Sequence, residues 1–388
     1  MKRWLLSIAV ILLISAISFS LIFIGHHETE PADEFFFGVS FGGNSTSQAK
    51  LLIDKVKNYT NFFLISNWDV SMNQTALNEI SQYAVDANMN IMVYFDFIPY
   101  QTYPWIQDYL LTAKQRWGEQ FLGVYLHDEP GGKQIDSGHW RAPDNGSNVF
   151  ENVSDYTDAA NRFVEGISSG YSWQFVKNNS LPVFTSDYAL YWFDYLAGYD
   201  TIFVELGWGH NPIQHIGMCR GAAKVQNKDW GAIIVWNTQD PDDTHKGTYK
   251  TGPEMFDDMV TAYTAGAKYI VVFNYPYEQT FGILEEQHFT AMETFWNLTC
   301  SPNQENLEKI KGDVAFVLPK DYGWGMRHPE DKIWMPIWGP NEQSELIWSN
   351  MNKLIAKYEL RLDIIFDDAR FDFLDIYSEI YYWDSEIS

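Results

Sequence analysis

The sequence predicts an α/β protein, a (β/α)8 TIM barrel followed by a small open α/β domain. Three observations carry this. Eight apolar, strand-like runs alternate with helical patterns between residues 35 and 300, and barrels of this kind typically take roughly 250 residues. Right-handed crossovers between parallel strands make closure into a ring the natural arrangement. Neither a GxGxxG nor a P-loop motif occurs, as an open, doubly wound nucleotide-binding sheet would usually require.

Taken in order, the first strand is expected over 35–43, FFFGVSFGG, with a helix at about 49–59. The second covers 62–67 with a helix at 76–87, and the third 91–97 with a helix at 106–117. The fourth begins at Phe121 and ends in two adjacent acids, a proline and two glycines: FLGVYLHDEPGG. A stretch rich in Gly, Asp, Asn and Ser, 131–152, interrupts the pattern before a helix at 155–166. The fifth strand is 182–187 with a short helix at 193–196, and the sixth is 201–206 with a helix at 213–225. The seventh is 231–236 with a helix at 254–265, and the eighth 269–274 with a helix at 286–298. From residue 312 the pattern restarts with a strand at 314–318 and an aromatic loop over 321–341 carrying Trp324, Trp334 and Trp338. A helix at 346–358 and strands at 362–366 and 380–383 complete the chain. Roughly 77 residues with three strands are marginal alone, so residues 312–388 are expected to pack on the barrel.

Composition narrows the function. Of 388 residues 46% are hydrophobic, enough for a sizeable core. With 51 acids against 26 bases the net charge is −25, and no basic run exceeds Lys2-Arg3. A nucleic-acid partner needs a basic footprint, so that class is excluded. Aromatic residues make up 17% of the chain; rings of this kind can stack on sugar faces, fill a core or build an interface. The two cysteines, Cys219 and Cys300, cannot form a disulfide framework. No metal-binding motif such as HExxH or paired CxxC is present, and no metal or cofactor is expected.

After Met1-Lys2-Arg3 comes an uncharged, mostly apolar run of 22 residues from Trp4 to Gly25. About 20 apolar residues span a bilayer as a helix, whereas the apolar part of a cleaved signal is usually about 7–15. Residues 1–25 therefore read as an uncleaved signal anchor; a signal peptide cleaved near Ser18 or Ser20 is the alternative. The preceding positive charge places the rest of the chain outside the cytoplasm. Residues 26–34 form a polar linker. Asn-X-Ser/Thr sequons occur at Asn44, Asn58, Asn73, Asn145, Asn152, Asn178 and Asn297, more than the roughly three expected by chance, which supports an exported glycoprotein.

Active sites in this fold lie at the C-terminal ends of the strands. Those ends offer Asn67 and Trp68, then Asp96, then His127, Asp128 and Glu129, then Asp187. They continue with Glu205, Trp208, Trp236, Asn237, Asp240 and Tyr275. Acids, amides and aromatics converging on one face are what a sugar subsite needs.

Asp128-Glu129-Pro130 resembles the Asn-Glu-Pro motif that ends the fourth strand in the large glycosidase clan built on (β/α)8 barrels, and residues 312–388 resemble the flavodoxin-like domains attached to some of those barrels. The resemblance implies a general acid/base role for Glu129 and places Asp128 where the clan's asparagine contacts the sugar 2-hydroxyl. An aspartate donates no hydrogen bond unless protonated, so the match departs there. The clan's nucleophile, a glutamate ending the seventh strand, has no counterpart in IIVWNTQDPDD. Glu205 is the preferred partner carboxyl, Asp240 the next and Asp96 the third. Glu205 follows Phe203 and Val204 and is expected to be buried, which raises a carboxyl pKa. Trp68, Trp208, Trp236 and Tyr275 are candidates for stacking on sugar, and Asp96, Asn67, His127 and Asn237 for polar contacts.

The leading expectation is an extracytoplasmic glycoside hydrolase acting on an oligo- or polysaccharide through two carboxylates. The alternative is a membrane-anchored glycan-binding or structural protein on a catalytically inactive barrel. The two part on geometry: absence of a second carboxyl within about 10 Å of Glu129 favours the binding protein. A metal-dependent hydrolase with an HxH pair ending the first strand does not fit Ser40-Phe41-Gly42-Gly43.

Overall fold

The computed structural model describes residues 34–95, 103–137, 150, 152–236, 249–275, 280–300 and 307–387. Eight parallel strands pair in sequence order and close into a barrel. They are β1 (Phe36–Phe41), β2 (Phe62–Ile65), β3 (Asn90–Tyr94), β4 (Phe121–Tyr125), β5 (Val183–Asp187), β6 (Thr201–Leu206), β7 (Asp229–Ile234) and β8 (Tyr269–Val272). β8 returns to β1 with Phe36 opposite Tyr269. The strands are almost wholly buried, which is why they read as continuous apolar runs rather than alternating ones.

Alternation along the strands still decides what enters the barrel. Phe36, Phe62, Phe184, Phe203 and Tyr269 pack together at the N-terminal end. Phe36 stacks on Tyr269 at 4.8 Å and Phe184 on Phe203 at 5.9 Å. Leu64, Met92, Tyr125, Ile233 and Val271 continue the same cluster. Two residues beyond Phe184 and Phe203 come Ser186 and Glu205, and the period of two carries both into the interior near the C-terminal mouth.

Helices follow the strands and are capped by their own sequences. Ser45 caps Thr46–Val56, Asn73 caps Gln74–Asp86, Asn211 caps Pro212–Val225, and Thr251 with Glu254 forms a capping box on Gly252–Thr264. Three helices were not expected from the sequence: Trp68–Ser71, Pro130–Ser137 and Tyr171–Asn178. The second lies where Pro, Gly and Asp suggested a loop. Its glycines are poor helix formers, but a carboxylate from β5 holds its first turn, as described below.

Beyond the barrel, β9 (Val314–Leu318), β10 (Leu362–Phe366) and β11 (Glu379–Tyr382) form a parallel sheet in the order β10-β9-β11. Barrel and sheet belong to one compact unit, Phe36–Ser388. β10 lies against the helix Pro212–Val225, where a Cβ on Gly217 would come within 2.7 Å of the Leu362 carbonyl oxygen. Arg220 of that helix bonds Asp363 of β10 at 2.7 Å, with both side chains buried.

The loop before the helix Glu342–Tyr358 is anchored by Trp324 and Trp334, both fully buried. Trp334 packs on Phe163 and Phe193. Arg327 bonds Asp136 at 2.5 Å, and Gln134 donates to the Met335 carbonyl. The C-terminal piece thereby braces the helix Pro130–Ser137, which begins one residue after Glu129.

Candidate active site

β4 delivers its acids through a sharp backbone turn. His127 and Glu129 both adopt left-handed conformations, with φ of 59° and 50°, a region that residues with a Cβ seldom occupy. Pro130 then opens the helix Pro130–Ser137, where a proline loses no needed donor. The N–H groups of Gly131 and Gly132 donate to Asp187 at 2.6 and 2.7 Å. Asp187 also accepts from Tyr188 N at 2.7 Å and Ala189 N at 3.1 Å. Side chains at both glycines are excluded, since a Cβ would come within 2.4 Å of the Ala189 carbonyl oxygen and 2.2 Å of the Tyr188 ring.

The carboxyl groups of Glu129 and Glu205 line the same cavity and act directly on each other. Glu205, on β6, is only 4% exposed. Its Oε1 accepts from Ser186 Oγ at 2.7 Å and its Oε2 from Trp208 Nε1 at 2.8 Å. Trp208 reaches this position from a left-handed backbone, φ 59°. Asp128 accepts from Tyr125 Oη at 2.6 Å. Lys133 Nζ lies 3.3 Å from Asp128 Oδ2 and 3.9 Å from Glu129 Oε2, one helical turn beyond Glu129 on the same face.

This arrangement separates the two glutamates electrostatically. Burial raises the Glu129 pKa, and the charges of Glu205 and Asp128 raise it further, against a smaller lowering by Lys133. Burial also raises Glu205, but the donors Ser186 and Trp208 oppose it by stabilising the carboxylate. Glu129 therefore keeps the proton and Glu205 ionises first. Behind them, burial lifts Asp194 well above the carboxylate range, and the Asp187 charge adds to the rise. With Asp194 neutral, Asp187 remains the acceptor that its four amide donors require.

A cavity of about 360 Å³ opens at the C-terminal mouth over this pair. Tyr94, Tyr125, Trp208, Phe273 and the apolar Leu64, Ile233 and Val235 line it, with Ser66, Ser186 and Asn274 among the polar groups. Trp68 and Tyr275 stand at its rim, 47% and 52% exposed.

No family model matches the chain, and no curated protein matches its sequence. Solved structures resemble it in fold. An α-L-fucosidase isoenzyme 2 from Paenibacillus thiaminolyticus is 10% identical with a TM-score of 0.47, over 89% of this chain and 59% of that one. The chain thus spans under two thirds of the fucosidase. A catalytic module of the pneumococcal exo-β-D-N-acetylglucosaminidase StrH is 10% identical, TM-score 0.42, over 70% and 84%. An endo-1,4-β-mannanase from Rhizomucor miehei is 12% identical, TM-score 0.41, over 68% and 94%. At these identities no residue role is carried across; the chemistry rests on this chain's own geometry.

Of the residues nominated from sequence, Glu129, Glu205, Asp128, Asn67, Trp68, Trp208 and Tyr275 line the one cavity. Asn67 is largely committed to the fold, accepting from Val70 N and donating to the Gly42 carbonyl. His127 points elsewhere: it is buried and stacks on Trp173 at 5.9 Å, and burial holds its imidazole down at about 3. Its left-handed backbone turns the ring away from the mouth. Trp236 packs between Trp208 and Tyr249 rather than lining the cavity. Asp96, Asn237 and Asp240 lie outside the described residues. Among the described residues, no group of three or more His, Cys, Asp or Glu side chains is arranged to hold a metal ion. Tyr125, Ser186 and Lys133 were missed. Strand alternation carried the signal for the first two, because Ser186 shares the inward face with Phe184 while Asp187 faces the helices.

Proposed function

We propose that this protein is an extracytoplasmic glycoside hydrolase in which Glu129 protonates the leaving-group oxygen and Glu205 attacks the anomeric carbon. The observation that carries the reading is the pairing of Glu129 with Glu205 inside the aromatic-lined mouth of the barrel. Inverting enzymes need about 6.5–9.5 Å between carboxyls to admit water, and retaining ones about 5–5.5 Å. The direct influence of each carboxyl on the other fits the closer of these two spacings, which favours retention through a glycosyl-enzyme intermediate. A raised Glu129 pKa suits a proton donor, and the donors on Glu205 suit a nucleophile that must be charged. The cavity volume falls within the roughly 300–1,000 Å³ of small-ligand sites, and Trp68 and Tyr275 offer exposed ring faces for further sugars.

The extracytoplasmic part of the reading rests on the apolar run Trp4 to Gly25, outside the described residues, and on the sequons. Asn44, Asn58, Asn73, Asn152, Asn178 and Asn297 are all exposed, the condition for accepting a glycan. Among the described residues no helix is long and apolar enough to cross a membrane. Labelling of intact cells with an impermeant reagent tests the location.

The activity test is a panel of aryl glycosides and glycans with Glu129→Gln as control. Turnover should be lost with binding retained; undiminished hydrolysis by the variant rules the assignment out.

A further inference from the structure

Three oxygen contacts run in series beneath the cavity. Asp128 Oδ1 lies 2.6 Å from Tyr125 Oη, Tyr125 Oη lies 2.8 Å from Ser186 Oγ, and Ser186 Oγ lies 2.7 Å from Glu205 Oε1. All three are hydrogen-bond distances for O–H···O, so the chain needs three protons. The two hydroxyls supply only two. Tyr125 Oη also accepts the Ser186 backbone N–H at 2.9 Å, which fixes the phenol in the middle of the chain. Were Asp128 and Glu205 both ionised, each hydroxyl would point at its carboxylate. Oη and Oγ would then face each other at 2.8 Å through lone pairs alone, in a buried position. The chain closes only when one of the two end carboxyls carries a proton.

We propose that Tyr125 and Ser186 form a proton relay between Glu205 and Asp128. The transfer balances. Glu205 Oε1–H gives its proton to Ser186 Oγ, Ser186 Oγ–H gives its own to Tyr125 Oη, and Tyr125 Oη–H gives its own to Asp128 Oδ1. Both hydroxyls end neutral with their bonds reversed; Glu205 ends as a carboxylate and Asp128 as an acid. No other reactant is consumed.

The use of this relay rests on the function proposed above. Lys133 lies beside Asp128, and Ser186 and Trp208 lie beside Glu205, so both ends of the relay have groups that stabilise a negative charge. Positive charge developing on a sugar above Glu205 drives the shared proton toward Asp128 and leaves the nucleophile ionised. Glu129 contributes no proton to the relay and keeps its own for the leaving group. Among the described residues, the groups facing the relay are few. Glu129 and Trp208 meet Glu205, with the Tyr191 hydroxyl near enough to feel its charge. Lys133 meets Asp128, the Tyr94 ring packs on Tyr125 at 5.2 Å, and Tyr188 lies near Glu129. Tyr125 and Ser186 are thus positioning residues that act through Glu205.

Carbon-13 carboxyl NMR of the full chain tests the relay without needing a substrate. Asp- and Glu-labelled protein is titrated with pH as wild type, Tyr125→Phe and Ser186→Ala, with Asp128→Asn and Glu205→Gln for assignment. Each relay variant removes one oxygen and keeps the carbon packing, so either cut alone suffices. In the wild type the Asp128 signal should carry a second inflection at the pH where Glu205 titrates; in both relay variants that shared step should vanish from Asp128, while Glu205 keeps the step it shares with Glu129. An Asp128 signal with no shared step in the wild type, or one that keeps it in a folded relay variant, overturns the proposal. A kinetic arm separates it from the function. With an aryl glycoside that the wild type hydrolyses, the relay variants should lose roughly tenfold or more in kcat, and the acid limb of the rate profile should move. Coupled titration with no glycosidase activity leaves the relay standing and sinks the function. Activity with uncoupled titration does the reverse.

Discussion

Asp187 accepts the backbone N–H of Gly131 at 2.6 Å, and this bond ties the end of β5 to the first turn of the helix that follows Glu129. Three further amides, those of Gly132, Tyr188 and Ala189, converge on the same carboxylate. A helix N-terminus favours an anion there, which explains how a segment containing Gly131 and Gly132 is helical. Asp187→Ala would strand four amide donors. It is expected to cost about 2 kcal/mol or more by urea unfolding, and to cut turnover through misplacement of Glu129. Unchanged unfolding midpoint and turnover would show that the helix start holds without Asp187.

The glutamate pair should make the protein less stable as pH rises. Both folded-state pKa values lie above the ordinary glutamate value. Between the unfolded and folded values the native state binds more protons than the unfolded chain, so stability falls with increasing pH. The window opens near pH 4.3, the ordinary glutamate value, and extends upward through the folded values. Glu205→Gln removes one buried ionisable group and the charge that raises Glu129. The variant should melt higher than wild type at pH 8, by about 1 kcal/mol or more, with a shallower pH dependence. A variant with the wild-type slope would mean that the pair is not what sets it.

Trp208 donates to Glu205 Oε2 at 2.8 Å, and that bond stabilises the carboxylate. Trp208→Phe keeps a ring in the cavity wall and deletes the donor. The Glu205 pKa should rise, and the acid limb of kcat/KM should move to higher pH. The comparison is made on one aryl glycoside across pH 4 to 9. A limb that stays in place while KM changes would assign Trp208 to sugar contact alone.

The barrel was legible because its signal is redundant. Eight apolar runs and their helices repeat one unit, and no single misplaced boundary changes the topology. β7 illustrates this: it begins at Asp229 and ends at Ile234, two residues displaced from its expected position, yet it pairs as expected. Glu129 and Glu205 were legible because strand ends in this fold point to the mouth. Side-chain direction was harder to read. His127 and Asp187 also sit at strand ends, but a left-handed turn sends one into the core and the other faces the helix layer. Tyr125 and Ser186 carry no acid or amide to attract notice, and their part follows from distances that no linear pattern encodes. The helix Pro130–Ser137 was hidden for a related reason, since the carboxylate that holds it is 56 residues from Gly131 along the chain.

The C-terminal sheet is held to the barrel by a buried charge, and this gives the last prediction. Arg220 bonds Asp363 Oδ1 at 2.7 Å and donates to the carbonyls of Ala265, Ile310, Leu360 and Leu362. It therefore joins a barrel helix, the segment leading to β9, and β10. Asp363 is fully buried, and its second oxygen lies 3.7 Å from Lys224 Nζ, with the Tyr377 hydroxyl also close to the carboxylate. Arg220→Met leaves that carboxylate in a low-dielectric site and is expected to cost about 3–5 kcal/mol, read by chemical unfolding. Because the sheet braces the helix after Glu129 through Arg327 and Asp136, turnover should fall as well. The double variant Arg220→Met, Asp363→Leu removes the stranded charge and should recover most of the loss. If the double variant is as unstable as Arg220→Met, the carbonyl bonds of the guanidinium, rather than its charge on Asp363, hold the sheet in place.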